Sequence, residues 1–532
     1  MDKGSNVLDT PGEKFVVLTE GVQDNAVKKL TSGSLLARNS VWNLVGQFAP
    51  MAVGLFTIPR LVHALGTDRF GVLMIAWMVV GYFSFFDLGL GRAMTNLVAQ
   101  KLASDSQDEL PAIIWTANLV MGALGIVGAS LLALLSPLFV EHLLKIPPPL
   151  RTETLQAFYL LSLSVFFVIS TAGFRGILEA RQRFGIINIV RIPMGVATFL
   201  APLLVLHWSK HLPAVVGILV VMRMTFWFTY VWIALRDMPS IMHRFVIEPR
   251  LIPMLLSFGA WMTVSNIISP MMEYLDRFLV GMLLSLTAVA YYATPYDVVT
   301  KLVILPAGIM SVLFPAFSTA LVADHAHAAK LFRRTVKCII IVLLPLTVLM
   351  VLFARNGLQL WLGPMFASHS TRPLQWLAIG VLGNGLAVVP FALIQGAGRP
   401  DITAKLHMLE FPFYVATVWV LTNHFGIVGT AIAWAARVIV DAILLYWVAG
   451  RFLDRFARFR SLCIAVLGTM AVFALAMINM SLPTKIFVSA MMLAVFSAIT
   501  WFVLLSPSER LILQNFRNRL LTTRPGPAPT GA

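Results

Sequence analysis

Charged residues are scarce in this sequence. Asp, Glu, Lys and Arg make up 12% of its 532 residues, about half the roughly 25% usual in soluble globular domains, so most of the chain has no means of facing water. Cysteine is nearly absent. Cys338 and Cys463 lie at the edges of apolar runs with no metal-ligand or secreted-disulfide spacing, which removes zinc, haem and disulfide scaffolds. No Walker A motif or other Gly-rich phosphate loop occurs, so direct ATP hydrolysis is excluded. The histidines at 63, 142, 207, 211, 369 and 424 are scattered, with no carboxylate and nucleophile in a recognisable order. The first 33 residues are polar and lack the apolar core of a signal peptide.

What remains is hydrophobic: 58% of residues, with 36 Phe and 25 Met and a mean hydropathy of +0.84. Apolar runs of about 20 residues, the length that spans a bilayer, recur from 35 to 505. They predict an all-α polytopic membrane protein with about fourteen helices, near 35–58, 70–91, 112–140, 155–179, 186–207, 213–235, 251–272, 286–320, 336–354, 374–397, 405–423, 427–449, 460–480 and 485–505. The run weakens at 273–285, where Glu273, Asp276 and Arg277 interrupt it, and 355–373 reads as an amphipathic loop. With a cytoplasmic N-terminus, 28 of the 40 Lys and Arg fall on the inner side and nine, Arg277 among them, on the outer. The positive-inside rule therefore accounts for the net charge of +16. Nucleic-acid binding is not needed to explain it, because the basic residues are spread over many loops.

A weak repeat at an offset of 219 residues pairs Leu65 with Leu284, Gln47 with Asn266, and Pro193-x-x-Val196-Ala197-Thr198 with Pro412-x-x-Val415-Ala416-Thr417. The paired helices are six apart, which gives parallel repeats. The organisation that follows is a cytoplasmic tail (1–34), a six-helix bundle (35–235), a cytoplasmic linker (236–250), a second six-helix bundle (251–450), two further helices (451–505) and a cytoplasmic tail (506–532).

Polar residues inside such helices are the candidates for function. Asn39, Asn43 and Gln47 form a stripe at i, i+4 and i+8, and Ser265, Ser269 and Glu273, with Asn266 beside them, form its counterpart; interhelical hydrogen bonding and a hydrated lining both fit. Arg223 and Arg437 lie about 15 Å deep at ~1.5 Å per residue, near the bilayer midplane, where even lenient scales charge about 2.5–3.5 kcal/mol for an Arg. Asp297 and Lys301, like Arg437 and Asp441, are spaced i, i+4 and can form same-face ion pairs. Arg223 has no acidic residue three or four positions away. Asp87 and Arg92 flank Gly89 and Gly91, a pattern suited to ending or bending a helix, and Pro295, Pro306 and Pro315 supply kinks in 286–320.

The segment Leu65-Gly66-Thr67-Asp68-Arg69-Phe70-Gly71, followed by Asp87-Leu88-Gly89-Leu90-Gly91-Arg92-Ala93, resembles the start of Wzx-type oligosaccharide flippases of the multidrug/oligosaccharidyl-lipid/polysaccharide transporter (MOP) superfamily. Similar matches run on through Tyr274-Leu275-Asp276-Arg277-Phe278-Leu279-Val280-Gly281, Tyr291-Tyr292 to Lys301, Leu313-Phe314-Pro315, Gln395-Gly396-Ala397-Gly398-Arg399-Pro400 and Phe425-Gly426-Ile427-Val428-Gly429. The resemblance covers residues 38–450. It implies a MATE-like pair of bundles around a lumen, and alternating-access transfer of undecaprenyl-diphosphate-linked oligosaccharide across a bacterial inner membrane for surface polysaccharide synthesis. On this reading the protein is not an enzyme, has both termini cytoplasmic and needs no cofactor or metal. Arg223, Lys301, Arg437, Asn43, Gln47 and Asn266 are the candidate substrate ligands. Asp297 and Asp441 are the candidates for H+ or Na+ coupling, and Asp87, Gly89, Gly91 and Arg92 are structural or gating residues. Its partners are then the lipid-linked substrate, membrane lipids, and a polysaccharide polymerase and glycosyltransferases. Two alternatives stay open: a cation-coupled multidrug exporter of the same superfamily, and a polytopic polymerase or ligase.

Overall fold

A chain in hydrocarbon has no water to satisfy its N–H and C=O groups, so only helices or closed barrels can span. The computed structural model is helical. It describes most of residues 33–514, leaving out 85, 88, 104–106, 240, 242–243, most of 311–324 and of 454–479, and scattered positions from 506 on; the side chains of 33–45, of 47 and of most of 254–270 are also left out. The long helices are α1 (Gly33–Phe83), α2 (Leu90–Ala103), α3 (Leu110–Pro137), α4 (Arg151–Ala180), α5 (Phe184–Val205), α6 (Leu212–Asp237), α7 (Leu251–Leu283), α8 (Leu286–Thr300), α9 (His325–Leu362), α10 (Pro364–Gly396), α11 (Pro400–Ala449) and α12 (Leu482–Ile499), with no strand among the described residues. Nine helices among the described residues are long and apolar enough to cross a membrane.

Two of these helices are too long for one crossing. The 50 residues of α11 reach about 75 Å at 1.5 Å each, more than twice a hydrocarbon core of about 30 Å. Each contains one break: Gly66 in α1 (φ 77°, ψ 165°) and Gly426 in α11 (φ 60°, ψ −144°). Both are positive-φ conformations open to glycine, and both fall in the gaps the sequence leaves between apolar runs.

Elsewhere the helices depart from expectation. α7 runs unbroken to Leu283, so Glu273, Asp276 and Arg277 lie inside a helix and Arg277 is no outer-loop residue. Buried partners for Asp276 and Arg277 make this tolerable, as shown below. Residues 355–373 are helical apart from a turn at Gly363 (φ 89°), with Pro364 opening α10, where its missing N–H costs nothing. Side chains hold this end in place: Ser370 Oγ donates to Tyr291 O (2.7 Å) and Gln375 Nε2 to Val351 O (3.1 Å). The expected helix 286–320 is interrupted after Thr300 by a 3-10 turn at Lys301–Val303 and resumes to Met310. Pro295 and Pro306 lie on either side of that turn, and Pro315 lies outside the described residues. α2 occupies what reads as a loop. Most of 460–480 is outside the described residues.

The chain forms two compact units. One comprises residues up to Ala64, Phe83–Leu135 and Leu155–Ala260; the other comprises Leu65–Tyr82, Ser136–Thr154 and Trp261 onward. Each packs on small residues, which let helix backbones approach where lipid leaves little hydrophobic drive. In the first unit a Cβ on Gly195 would lie 2.5 Å from Pro50 Cγ, and in the second a Cβ on Gly380 would lie 2.4 Å from the Trp434 ring.

The second unit thus contains two short segments from the first half of the chain. A Cβ on Gly71 would lie 2.1 Å from Leu286 O, so only glycine allows that approach. The Thr287 hydroxyl donates to Asp68 Oδ1, Arg69 Nε pairs with Glu153 Oε2 at 3.1 Å, and Phe139 meets Phe278 edge-on at 5.3 Å. Asp68 and Thr287 are 219 residues apart, the offset of the sequence repeat.

Candidate functional site

In the first unit the candidate centre is Arg223, on α6. Its Nη1 approaches Met194 Sδ on α5 at 3.6 Å, a weak acceptor, and among the described residues it has no carboxylate within ion-pairing distance. Around it the packing is aromatic. Trp227, one turn further along α6, donates through Nε1 to Ser170 Oγ at 2.9 Å and lies against Phe166, Phe167 and Phe174 of α4.

Asp87 caps the start of α2: Oδ1 accepts from Gly89 N and Oδ2 from Gly91 N, each at 3.1 Å. A Cβ on Gly176 of α4 would lie 2.9 Å from Gly91 O, and Thr95 Oγ1 donates to both Gly91 O and Gly176 O. Gly89 (φ 73°) supplies the turn. These residues fix the α2–α4 contact, and Arg92 is exposed. Beyond α6, Ile241 and Glu248 contact α3: Trp115 Nε1 donates to Ile241 O and Thr116 Oγ1 accepts from Glu248 N, both at 3.0 Å.

The second unit holds a larger polar cluster. Arg277 is buried, with Nη2 on Asp297 Oδ1 at 2.8 Å and its guanidinium carbon 4.4 Å from the Tyr296 ring centre and 5.4 Å from that of Tyr274. Asp276 accepts from the Arg277 backbone N (2.7 Å) and from Tyr292 OH (2.5 Å). Tyr296 meets Trp434 edge-on at 5.3 Å. On α11, His407, Glu410 and Tyr414 follow at i, i+3 and i+7, and Arg437 and Asp441 lie beyond the Gly426 turn. Asp441 Oδ1 is 3.8 Å from His407 Nε2, and the Arg437 guanidinium carbon is 5.4 Å from the Tyr414 ring centre.

Neither expected i, i+4 ion pair forms. Asp297 is taken by Arg277 rather than Lys301, which is exposed, and Asp441 faces His407 rather than Arg437. Helical spacing permits the pairs, but α7 and the first half of α11 bring partners that packing favours. Sequence reasoning missed Asp276, Arg277, Tyr292, Tyr296, His407, Glu410 and Tyr414. The available signal was ionisable residues recurring inside apolar stretches, read instead as an interruption at 273–285 and passed over at 407–410. Asn39, Asn43, Gln47 and Asn266 lie on α1 and α7, with side chains outside the described residues. Among the described residues no group of three or more His, Cys, Asp or Glu is arranged to hold a metal ion.

The fold is shared with solved transporters. A multidrug-resistance MATE family transporter of the MOP superfamily in an inward-facing conformation superposes with a TM-score of 0.64 at 12% identity, over 79% of this chain and 98% of that one. The lipid II flippase MurJ, in an inward closed conformation, gives 0.66 at 13% identity, over 87% and 98%. In sequence, a Shigella flexneri protein named for O-antigen transport is 32% identical over 416 residues, 78% of this chain and 98% of that protein. The lipopolysaccharide biosynthesis protein WzxC of Escherichia coli K12 is 23% identical over 76% of this chain and 79% of its own length. The polysaccharide biosynthesis protein family model matches residues 36–321, more than half of the chain. With that match and the Shigella flexneri relative aligned almost end to end, the chain belongs to the polysaccharide biosynthesis protein family, on the fold of the MOP transporters.

Proposed function

We propose that this protein is a lipid-linked oligosaccharide flippase. It moves undecaprenyl-diphosphate-linked sugar from the cytoplasmic to the periplasmic leaflet of a bacterial inner membrane by alternating access, with both termini cytoplasmic. A diphosphate and its sugars must cross hydrocarbon, where each unpaired charge costs several kcal/mol or more. Arg223 is the observation that carries the reading: a cation deep in an apolar helix, with a sulfur as its polar neighbour and, among the described residues, no carboxylate to neutralise it, suits a phosphate that arrives and leaves. Arg437 is the second candidate ligand, since among the described residues it has no carboxylate within ion-pairing distance and its Nε has no hydrogen-bond partner. The halves 35–235 and 251–450 act as the two repeats, a reading supported by the contact between repeat mates Asp68 and Thr287.

The fold does not discriminate between a flippase and a cation-coupled drug exporter, because MATE and MurJ superpose almost equally well. The sequence relatives favour the flippase, and they favour transport over polymerase or ligase chemistry. Deleting the gene should abolish surface polysaccharide and leave drug susceptibility unchanged. Purified protein in liposomes should expose a lipid-linked oligosaccharide to an outer-leaflet probe. Retained polysaccharide with increased drug sensitivity would support the exporter instead.

A further inference from the structure

Beside the Gly66 and Gly363 turns of the second unit, one row of polar and aromatic side chains joins α1, α8 and α10. Asp68 Oδ1 accepts from the Thr287 hydroxyl. Tyr291 follows Thr287 at i, i+4 on α8 and so shares its face. The His369 ring of α10 lies flat on Tyr291, with 4.6 Å between ring centres and 4° between planes. On the proposed topology one crossing separates the cytoplasmic N-terminus from Gly66, so the row stands at the periplasmic end of this unit.

Its members are held in place without being used up. His369 is exposed, yet its ring is fixed. Tyr291 lies beneath it, braced edge-on by Phe366 at 4.8 Å and through its carbonyl by Ser370 Oγ at 2.7 Å, and Met365 O lies 2.9 Å from His369 Nδ1. A carbonyl only accepts, so in the neutral ring Nδ1 carries the hydrogen and Nε2 is left as an acceptor. Asp68 is half-buried and among the described residues makes no ion pair, because Arg69, next in the chain, is taken by Glu153.

This combination fits a sugar. A pyranose ring presents adjacent hydroxyls, which donate to a carboxylate that can only accept, and a face of C–H groups, which packs on a flat ring. One carboxylate is too few oxygen ligands for a hard cation. Arg69 and Glu153 cancel, so Asp68 leaves the row with one negative charge, which repels a uronic acid and accepts a neutral or aminated sugar.

We propose that Asp68, Thr287 and His369, with Tyr291 as the support of the imidazole, form a carbohydrate site that receives a neutral or aminated sugar of the oligosaccharide at the periplasmic end. Its place in transport rests on the flippase reading. The sugar binding does not, because free oligosaccharide tests it.

The experiment uses the full chain in lipid nanodiscs and, as probe, the oligosaccharide repeat of the producing strain released from its lipid carrier. Saturation-transfer NMR should give signal on the sugar ring protons. That signal should fall about fivefold in H369A and in D68N, each losing one contact, and persist in H369F, which keeps a flat ring. The thermal midpoint should be unchanged in all three. Trigalacturonate at the same concentration should give less signal than the repeat. No signal in the wild type, an undiminished signal in both variants, or an equal signal from trigalacturonate overturns the proposal. A fall that tracks a lower thermal midpoint overturns it too, as the mark of a merely structural role. In proteoliposomes, H369A and D68N should slow flipping of the lipid-linked oligosaccharide at matched protein level. Wild-type rates in both variants overturn the role in transport. No flipping at all by the wild type overturns the flippase reading and leaves the NMR result to decide the carbohydrate site.

Discussion

Arg223 and Arg277 are both guanidinium groups inside long apolar helices, and they are held in opposite ways. Arg277 is neutralised: a carboxylate lies at 2.8 Å, two tyrosine rings lie within 5.4 Å of its guanidinium carbon, and a neighbouring aspartate is fixed in turn by a tyrosine hydroxyl, although its Nε has no hydrogen-bond partner among the described residues. Arg223 has a thioether at 3.6 Å. Arg277 is buried and Arg223 half-buried, so both lose hydration, and they differ chiefly in what offsets that loss. A cation neutralised by a carboxylate belongs to the structure of its unit, whereas one with no carboxylate beside it is, on the function proposed above, the one that meets a ligand.

The largest effect should come from breaking the ion-paired site. Arg277→Gln leaves Asp297 without its partner; removing one member of a fully buried ion pair costs about 3–5 kcal/mol, and because the Asp297 side chain is 35% exposed the cost should lie toward the lower end of that range. Membrane abundance and the midpoint of thermal aggregation in detergent should both drop sharply, with transport falling in proportion. A stable, abundant R277Q protein would erase the distinction between the two arginines.

Arg223 should give the reverse pattern. Removing its charge leaves no carboxylate stranded, so Arg223→Ala should be present at normal abundance and lose flipping. Arg223→Lys, which keeps charge but loses the bidentate fork, should fall between the two. The measurement is surface polysaccharide or liposome flipping at matched protein level. Full activity in a well-expressed R223A protein discards Arg223 as a substrate ligand.

The contrast also marks how far sequence reading reached. Hydropathy located most of the helices, and the gaps between apolar runs located the Gly66 and Gly426 turns, because a spanning helix is a local property with a fixed length. Residues 355–373 and α2 escaped because their hydropathy falls while their helices continue past the apolar stretch. The site was less legible. Spacing of i, i+4 identified Asp297 with Lys301 and Asp441 with Arg437, but a side chain chooses its partner by packing. Arg277 lies twenty positions before Asp297, and His407 reaches Asp441 across the Gly426 turn. The absence of a carboxylate beside Arg223 was readable because it is local: no acidic residue lies within a helical turn, and Met194 Sδ is the polar atom the structure places against it.

Within the second unit, the approach of Gly71 to Leu286 O extends the comparison to uncharged contacts. Gly71→Ala places a methyl group where the backbone oxygen sits, so the two segments must separate. Overpacking of this kind costs about 1–3 kcal/mol, less than an orphaned buried charge. A lower thermal midpoint than wild type is expected. A G71A protein as stable as wild type would show that this contact yields easily.

The smallest effect should come from Arg69 and Glu153, a pair in which the arginine rather than the carboxylate is the exposed member. Arg69 and Glu153 are 3.1 Å apart, with side chains 34% and 12% exposed, so water screens the arginine and ordering its long side chain offsets part of the attraction. Pairs of this kind contribute about 0.2–1 kcal/mol. A double-mutant cycle with R69Q, E153Q and the double variant should give a coupling energy in that range, decreasing with added salt, whereas the equivalent cycle on Arg277 and Asp297, where the arginine is buried and the aspartate is 35% exposed, should be larger and less sensitive to salt. Equal coupling in the two cycles would mean that burial does not set the strength of these pairs, and the argument separating Arg223 from Arg277 would lose its physical basis.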